Sequence, residues 1–175
     1  MSSIDSTKKF ISINIGLLTI SDTRSKDNDK SGDLLNQKIE NFGHKVISRQ
    51  LVRDDVSSIK ETMLELANNK FVDSIITTGG TGLTGRDSTP EAVTAIAQKL
   101  IDGFGELFRQ ISYNKIGTST IQSRAIGAVV NGTYVFCLPG STSACKDAWD
   151  DILQYQLDIR YRPCNFIEIM PRLTE

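Results

Sequence analysis

The sequence predicts an α/β protein with a mostly parallel sheet, helices on both sheet faces and one antiparallel edge hairpin. Apolar runs of strand length alternate with stretches whose apolar residues recur at helical spacing. Such alternation requires right-handed crossovers, which place helices on both faces of a parallel sheet. The antiparallel edge is indicated by Asn131-Gly132, a strong hairpin signal between the apolar runs 128–130 and 134–136.

The individual elements follow from these patterns. Parallel strands are predicted over 11–20, 45–52 and 74–78. Helices are predicted from about 31 to the cap Gly43, over 59–67, from 88 or 89 to about 100, over 106–116, and from 144 to about 155. The third helix has two alternative starts: Thr89 as cap with Pro90 in the first turn, or Ser88 and Glu91 as a capping box. The segment 103–105 is interpreted as a break before the fourth helix.

Length and charge limit the class of protein. The chain has 175 residues, a net charge of -1 and a pI near 5.9, so it lacks the positive field that non-specific nucleic-acid binding needs. We expect one domain over 1–175 with a flexible N-terminal tail at 1–10. The run 10–20 is broken by polar residues and is too short to span a membrane, so we expect no membrane partner and a cytoplasmic location. The three cysteines form no CxxC pair and are interpreted as reduced thiols.

Four polar or glycine-rich turns follow predicted strands and precede predicted helices. They lie around Asp22, Asp54, Gly80 and Gly140. Ligands of parallel α/β sheets bind beyond the carboxyl ends of the strands. We therefore expect the four turns to form a single composite site.

The loop Gly80–Gly85 matches the pattern GxGxxG, but two common meanings of this pattern fit poorly. A dinucleotide site would need an acidic residue at the end of the next strand, and a P-loop would need Lys and Ser or Thr where Arg86 and Asp87 stand. Two interpretations remain open. The glycines let backbone amides approach a phosphate, or they form a tight strand-to-helix turn.

Two carboxylates accompany this loop. Asp54 ends the strand before it and Asp87 lies at its mouth, so both are candidates to face one phosphate chain through Mg²⁺. The alternative is that each caps a helix, with Asp55 an equal candidate for the first cap. The only histidine, His44, is expected on the surface at the opposite end of the sheet. Chemistry without an imidazole base, such as attack of one ionised phosphate on another, is therefore favoured.

Four ordered motifs point to a known family: Thr77-Thr78-Gly79-Gly80-Thr81-Gly82, Arg86-Asp87 with Thr89-Pro90, Gly103-Phe104-Gly105-Glu106, and Leu138-Pro139-Gly140-Ser141. Together they resemble the MoaB/MogA family of molybdenum cofactor biosynthesis proteins, over 13–166. The segments 116–125 and 162–166 are similar to the MoaB branch in particular. One departure is that the turn at 140–143 lacks the proline common after it in MogA-like members.

This resemblance implies a three-layer α/β/α sandwich, the MogA/MoaB-like molybdopterin-binding fold. It also implies assembly into trimers or hexamers, and adenylylation of molybdopterin with Mg-ATP ahead of molybdenum insertion. Other molybdenum cofactor biosynthesis proteins would be further partners. Asp54 and Asp87 would be the catalytic carboxylates and the provisional Mg²⁺ ligands. The residues implied to bind substrate or phosphate are Ser21, Asp22, Thr78, Gly79, Gly80, Thr81, Gly82, Arg86, Pro139, Gly140 and Ser141.

Two other functions stay open on the sequence. The first is a molybdopterin-binding or carrier protein that has kept the cleft without the chemistry. The second is a nucleotide-binding regulator that does not respond to the pterin.

Overall fold

The computed structural model describes residues 2–175 and has a six-stranded sheet at its centre. The strands are β1 (Ser3–Ile4), β2 (Asn14–Ile20), β3 (Lys45–Val52), β4 (Ser74–Thr78), β5 (Lys99–Leu100), β6 (Ile126–Val130), β7 (Thr133–Leu138) and β8 (Tyr161–Arg162). The central order is β3-β2-β4-β7-β6-β5; the first four run parallel, and β6 and β5 add an antiparallel edge. The predicted mixed sheet and its edge hairpin are confirmed.

Helices cover both faces of this sheet. They are α1 (Lys30–Phe42), α2 (Val56–Asn68), α3 (Thr89–Thr94), α4 (Asp102–Ile116), α5 (Thr142–Ala148), α6 (Gln154–Gln156) and α7 (Phe166–Ile169). One core lies between the sheet and α1, α4 and α5, and a second lies between the sheet and α2 and α3. The three-layer sandwich is therefore confirmed. None of the helices in residues 2–175 combines the length and apolar character needed to cross a membrane.

The central strands are apolar on both sides because each side meets a different core. In β2, Ile15 and Leu17 point into the first core, whereas Leu18 and Ile20 point into the second. All four side chains are buried. Continuous apolar sequence is what a strand covered on both faces requires. The strand begins at Asn14, three residues later than the predicted start at 11.

The predicted third helix is wrong in its second half. Helix α3 ends at Thr94, and the chain then pairs with β6 through Gln98 N to Val129 O (3.0 Å) and Ile101 N to Gly127 O (2.7 Å). The open edge of the sheet thus takes up a segment whose local sequence favours a helix. The start agrees with the second alternative in placing Ser88 at the cap position, but the Ser88 side chain makes no capping hydrogen bond, so the predicted capping box is wrong.

Helix α4 begins earlier than predicted and includes the segment 103–105, so the predicted break there is wrong. Phe104 and Phe108, one helical turn apart, are both buried against the sheet. Burial of two aromatic side chains on one face outweighs the low helix propensity of the flanking glycines.

His44 is buried, so its predicted surface position is wrong. Its Nδ1 accepts a hydrogen bond from Ile13 N at 3.2 Å, and its ring packs against Phe10, Phe42 and Trp149. Burial lowers the pKa of His44 to about 4, although the charge of Asp158 opposes this shift. As predicted, it lies at the amino end of the parallel strands, opposite the turns expected to form the site.

The N-terminal segment contacts the C-terminal part of the chain. Strand β1 pairs with β8, Lys8 forms an ion pair with Glu168 at 2.5 Å, and Asp5 forms one with Arg162 at 3.2 Å. The segment 1–10, expected to be a flexible tail, thus contains a paired strand. Residue 1 lies outside the residues that the structure describes. The mobility of the segment stays a prediction.

Candidate active site

The four predicted turns meet at the carboxyl edge of the parallel strands and enclose a cleft with two lobes. The first, termed the acidic lobe, is a cavity of about 260 Å³. Its lining includes Ser21, Asp22, Arg24, Asp54, Gly79, Gly80, Thr84, Arg86, Asp87 and Gly140. These residues follow β2, β3, β4 and β7, so each turn contributes at least one of them.

The second lobe, termed the hydroxyl lobe, is a cavity of about 390 Å³ that shares Gly80, Asp87 and Gly140 with the first. Its remaining lining combines hydroxyl groups with apolar side chains and backbone. These residues include Thr81, Gly82, Phe108, Ser112, Ile116, Ser119, Thr120, Ser123, Pro139, Ser141 and Ala144. Apart from the shared Asp87, the two lobes therefore differ in chemistry: one is lined by carboxylates and guanidinium groups, and the other by neutral donors and apolar surface.

Asp54 faces the acidic lobe, whereas its neighbour is the helix cap. The side chain of Asp55 accepts from Ser58 N at the start of α2, which resolves the choice between the two aspartates. Asp54 Oδ1 instead accepts from Ser88 N at 3.1 Å and Ser88 Oγ at 3.0 Å. Burial raises the pKa of Asp54; the bonds from Ser88 oppose the rise, and the negative charges of Asp87 and Asp22 add to it.

Asp87 is held by its own loop and caps no helix. Its Oδ2 accepts from Thr84 N at 2.8 Å and from Thr84 Oγ1 at 2.7 Å. Partial burial alone would raise the pKa of Asp87, but the bonds from Thr84 and from the amide of Gly82 outweigh it and lower the pKa. The pKa values of the two candidate carboxylates are thus shifted in opposite directions: that of Asp54 is raised and that of Asp87 is lowered.

The glycine loop leaves room for these two carboxylates. Gly80 has φ +66°, and a Cβ on it would lie 2.9 Å from Asp54 Oδ1. A Cβ on Gly82 would lie 2.7 Å from Asp87 Oδ2. Both distances are shorter than contacts that real side chains tolerate. Glycine stands at positions 80 and 82 because the carboxylates of Asp54 and Asp87 lie too close to the backbone to leave room for a Cβ.

The turn from Pro139 to Ser141, termed the second turn, is held by two hydrogen bonds to its backbone. Gly140 O accepts from Arg24 Nη2 at 2.6 Å and from Ser31 Oγ at 2.8 Å. The Ser141 side chain caps α5 by accepting from Ala144 N, and it is exposed to the hydroxyl lobe. Pro139 and Gly140 also line the cleft, as the sequence predicted.

Thr78 is the one predicted ligand-binding residue that the structure places away from the cleft. It is fully buried, and its Oγ1 donates to Pro139 O at 3.1 Å and contacts Cys145 Sγ. A hydroxyl used in this way is unavailable to a ligand. Thr78 therefore supports the second turn, and its predicted role in direct binding is wrong.

The residues of the acidic lobe suit a magnesium ion bound together with phosphate oxygens. Asp22, Asp54 and Asp87 line it, and the pKa of Asp54 rises partly because the other two are negative. A cation placed there would relieve this repulsion. Within residues 2–175 no group of three His, Cys, Asp or Glu side chains forms a metal site alone. Sites for Mg²⁺ with nucleotides typically use one or two carboxylates, phosphate oxygens and water.

Sequence reasoning missed several residues that shape the cleft. Ser88 donates to Asp54, and Arg24 supports the second turn. Arg124 donates to Gly82 O at 2.7 Å and also pairs with Glu91. The segment Ser123-Arg124-Ala125 is similar to the MoaB branch, but nothing in its spacing indicates that it reaches the glycine loop.

A family model described as "Probable molybdopterin binding domain" matches residues 16–158, which include the whole lining of the acidic lobe. The chain belongs to this family of molybdenum cofactor biosynthesis proteins. Molybdenum cofactor biosynthesis protein B of Escherichia coli (strain K12) is 42% identical over 158 residues, which cover 90% of this chain and 93% of that protein. The namesake from Bacillus cereus is 46% identical over 142 residues, or 81% of this chain and 84% of that protein.

Solved structures of the family agree with this assignment. The crystal structure of a molybdenum cofactor biosynthesis protein B matches with a TM-score of 0.86 at 40% identity, covering 95% of this chain and 98% of that one. The resemblance to the MoaB branch, inferred from the ordered motifs, is therefore confirmed in sequence and in fold.

Proposed function

We propose that the protein binds molybdopterin and adenylylates it with Mg-ATP. The observation that carries the proposal is the convergence of Asp54 and Asp87 on Gly80 and Gly82, where the two lobes of the cleft meet. Family membership supports molybdopterin as the ligand. The adenylyl transfer rests on the chemistry of the cleft.

Each lobe suits one substrate. The acidic lobe offers carboxylates for a cation and the exposed guanidinium of Arg86 for phosphate oxygens, as a nucleoside triphosphate requires. The hydroxyl lobe offers Phe108 and Ile116 as apolar surface for a flat ring, with serine and threonine hydroxyls around it. The molybdopterin phosphate would then meet the α-phosphate of ATP near Gly80 and Gly140, which both lobes share.

The proposed reaction is a nucleotidyl transfer. An oxygen of the molybdopterin phosphate forms a bond to the α-phosphorus of ATP, the bond from that phosphorus to the β-bridging oxygen breaks, and pyrophosphate leaves. The attacking phosphate is already ionised, so no base is needed, in agreement with the burial of His44 at the far end of the sheet. Magnesium held at Asp54 and Asp87 would neutralise phosphate charge. The chain itself orients the two phosphates through its loop amides, Arg86 and Ser141.

One observation favours the alternative of a molybdopterin-binding protein without catalysis. Both hydrogen bonds from Thr84 fall on Oδ2 of Asp87. Only Oδ1 of this carboxylate is then left for a metal or a substrate. A protein that binds the pterin without transferring AMP would retain the hydroxyl lobe and need no rearrangement of Asp87.

The decisive experiment incubates the purified protein with molybdopterin and Mg-ATP and measures adenylylated molybdopterin by mass spectrometry. We expect product from the wild type and a loss of at least about 100-fold in turnover for Asp54→Asn and Asp87→Asn. Asp55→Asn is the matched control, since it removes the same charge one residue away and asparagine caps helices as well as aspartate does. It should stay within about twofold of wild type.

The outcomes separate the candidate functions. Pterin binding without adenylylated product would support the carrier protein and contradict the transferase. Tight ATP binding with no response to molybdopterin would instead favour the nucleotide-binding regulator. Equal losses in Asp55→Asn and Asp54→Asn would contradict the role assigned to Asp54.

Assembly into a trimer or hexamer is part of the proposal, together with a single domain over 1–175, a cytoplasmic location and other molybdenum cofactor biosynthesis proteins as partners. Exposed apolar side chains on and after α4 support the assembly, with Tyr113 57% and Ile121 82% exposed. Large exposed apolar surface commonly marks protein interfaces. Sedimentation equilibrium tests the assembly, and a stable monomer would contradict it.

A further inference from the structure

The four successive carbonyl groups of the glycine loop are all engaged by two residues. Thr89 donates through Oγ1 to Gly79 O at 2.9 Å and through its amide to Gly80 O at 3.0 Å. Arg124 donates through its amide to Thr81 O at 3.1 Å and through Nε to Gly82 O at 2.7 Å. Each donor residue thus takes two neighbouring carbonyls.

This arrangement fixes where the loop amides point. A peptide unit is planar and trans, so the N–H of one residue points away from the carbonyl of the residue before it. The amides at 80–83 therefore point away from Thr89 and Arg124. Among residues 2–175, the amides of Gly80, Thr81 and Leu83 have no hydrogen-bond acceptor, and that of Gly82 is directed to the Asp87 carboxylate.

The donors and the cleft lie on different sides of the loop. Thr89 is fully buried, and Arg124 lines a separate cavity of about 420 Å³ that includes Arg109. Gly80, Thr81 and Gly82 line the hydroxyl lobe on the other side. Amides turned away from the donors are therefore turned towards the cleft, and successive amides of this kind form an anion-binding concavity.

We propose that Thr89 and Arg124 act as a carbonyl clamp, a pair of positioning residues that hold the unpaired amides of Gly80 and Thr81 ready for the phosphates that meet where the two lobes join. The inference rests on the proposed function, since it assigns the Gly80 amide, at the junction of the two lobes, to the α-phosphate of ATP. Neither residue needs to touch substrate. Their effect is to remove the alternative peptide orientation, in which a carbonyl would face the phosphate and repel it.

Arg124 has a second part in the clamp. Its Nη2 donates to Asp87 O at 2.9 Å, so the same guanidinium joins both ends of the exposed bend at 83–86. Gly82 and Asp87 are thereby held at a fixed separation, which keeps the Asp87 carboxylate beside the loop. The planar fork of arginine makes these contacts simultaneously, and a lysine ammonium cannot reproduce them.

The test measures Mg-ATP binding to full-length protein labelled with ¹⁵N-glycine, so that the amides of Gly80 and Gly82 report directly by NMR. Both signals should shift when wild type binds Mg-ATP. Thr89→Val removes the hydroxyl donor at constant shape, and Arg124→Lys removes the fork at constant charge. We expect each to weaken Mg-ATP binding about tenfold and to reduce the glycine shifts.

Two matched variants serve as controls. Thr89→Ser keeps the donor and should restore wild-type binding. Arg162→Lys changes an arginine of similar side-chain exposure (30% against 27% for Arg124) that pairs with Asp5 and Glu168 and does not reach the loop. Both should stay within about twofold of wild type. If Thr89→Val does not fold by circular dichroism, Arg124→Lys against Arg162→Lys decides the question.

The outcomes distinguish the clamp from the proposed reaction. The clamp would be overturned if Thr89→Val and Arg124→Lys bound Mg-ATP with the affinity and the glycine shifts of the wild type. It would also be overturned if the Gly80 and Gly82 signals of the wild-type protein did not change on addition of Mg-ATP. Glycine shifts with Mg-ATP but no adenylylated molybdopterin from the wild type would overturn the adenylylation while supporting the clamp.

Discussion

The carboxylate of Asp54 lies directly against the backbone of Gly80, so that a Cβ on this glycine would come within 2.9 Å of Oδ1 and 3.0 Å of Oδ2. Asp54, which follows β3, thus restricts position 80, in the turn that follows β4, to glycine. The pairing joins the two features that the sequence showed separately, a glycine loop and an aspartate after a strand. It makes the site a single packed unit.

Replacing Gly80 by alanine should therefore damage both stability and ligand binding. The methyl group would meet Asp54 and overlap Thr89 Oγ1, and alanine is disfavoured at a φ of +66°. We expect the free energy of unfolding to fall by about 2–4 kcal/mol. Urea denaturation measures this change, and calorimetric titration with Mg-ATP measures the accompanying loss of binding.

Gly85→Ala is the control for this prediction, because it adds a methyl group to the same loop where no atom lies within 4 Å. Its free energy of unfolding should change by less than about 0.5 kcal/mol. Similar losses in both variants would mean that the loop is sensitive to any substitution, and the specific contact between Gly80 and Asp54 would lose its support.

Asp29 is a buried carboxylate that supports the turns of the site. It accepts from Thr19 Oγ1 at 2.6 Å, Gly32 N at 3.0 Å and Arg49 Nη2 at 3.1 Å, and it pairs with Arg24, which holds Gly140. Asp29→Asn leaves several of these donors without an ionised acceptor. The free energy of unfolding should fall by about 2–3 kcal/mol in urea denaturation.

Asp33→Asn is the comparison for Asp29, because Asp33 also pairs with Arg49, at 2.7 Å, but its side chain is 58% exposed. The loss there should be below about 1 kcal/mol. If Asp33→Asn proved as costly as Asp29→Asn, the pairing with Arg49 would matter more than the buried hydrogen bonds, and the stabilising role assigned to those bonds would be wrong.

Much of the fold could be predicted because burial leaves a direct trace in sequence. The strands around Leu17 and Ile76 are apolar on both faces, and the turns between strands and helices carry glycine or aspartate. Lys99 and Leu100 left no such trace. Their neighbours favour a helix locally, and only the open edge of β6, distant in sequence, converts them into a strand.

The candidate site was predictable to the same extent and for the same reason. Parallel strands bring their carboxyl ends together, so Asp54 and Asp87 could be placed in one cleft from the sequence alone. Which of Asp54 and Asp55 caps α2 could not be decided, since both immediately precede the helix. The contribution of Arg124 to the site could not be predicted, because it contacts Gly82 across 42 residues of sequence and spacing rules do not extend that far.

The three cysteines should differ sharply in reactivity. Cys164 is exposed, whereas burial raises the pKa of Cys137 to about 12 and that of Cys145 to about 11. Because the thiolate is the reactive form, only Cys164 should react rapidly with a disulfide reagent in the native protein at pH 8. Absorbance of the released thiol measures this. Cys164→Ser should abolish the rapid phase, and its persistence would contradict the burial of the other two.

His44 should make the protein less stable in mild acid. Burial lowers its pKa from 6.5 to about 4, so between these values the unfolded chain binds a proton that the folded chain does not. This histidine therefore leaves stability unchanged above pH 6.5 and reduces it progressively as the pH falls towards 4. The free energy of unfolding should be about 2 kcal/mol lower at pH 5 than at pH 8 from this group alone.

The contribution of His44 is isolated by comparison with His44→Gln, which can still accept the hydrogen bond from Ile13 N but does not titrate. Urea denaturation of both proteins at pH 8, 6.5 and 5 should show wild type losing stability faster than the variant. Carboxylates that do not interact with His44 cancel in the difference, whereas the mutual interaction of His44 and Asp158 is part of the difference that is measured. Parallel pH profiles would mean that the imidazole is hydrated or protonated in the folded state, and its burial between Phe10 and Trp149 would have to be revised.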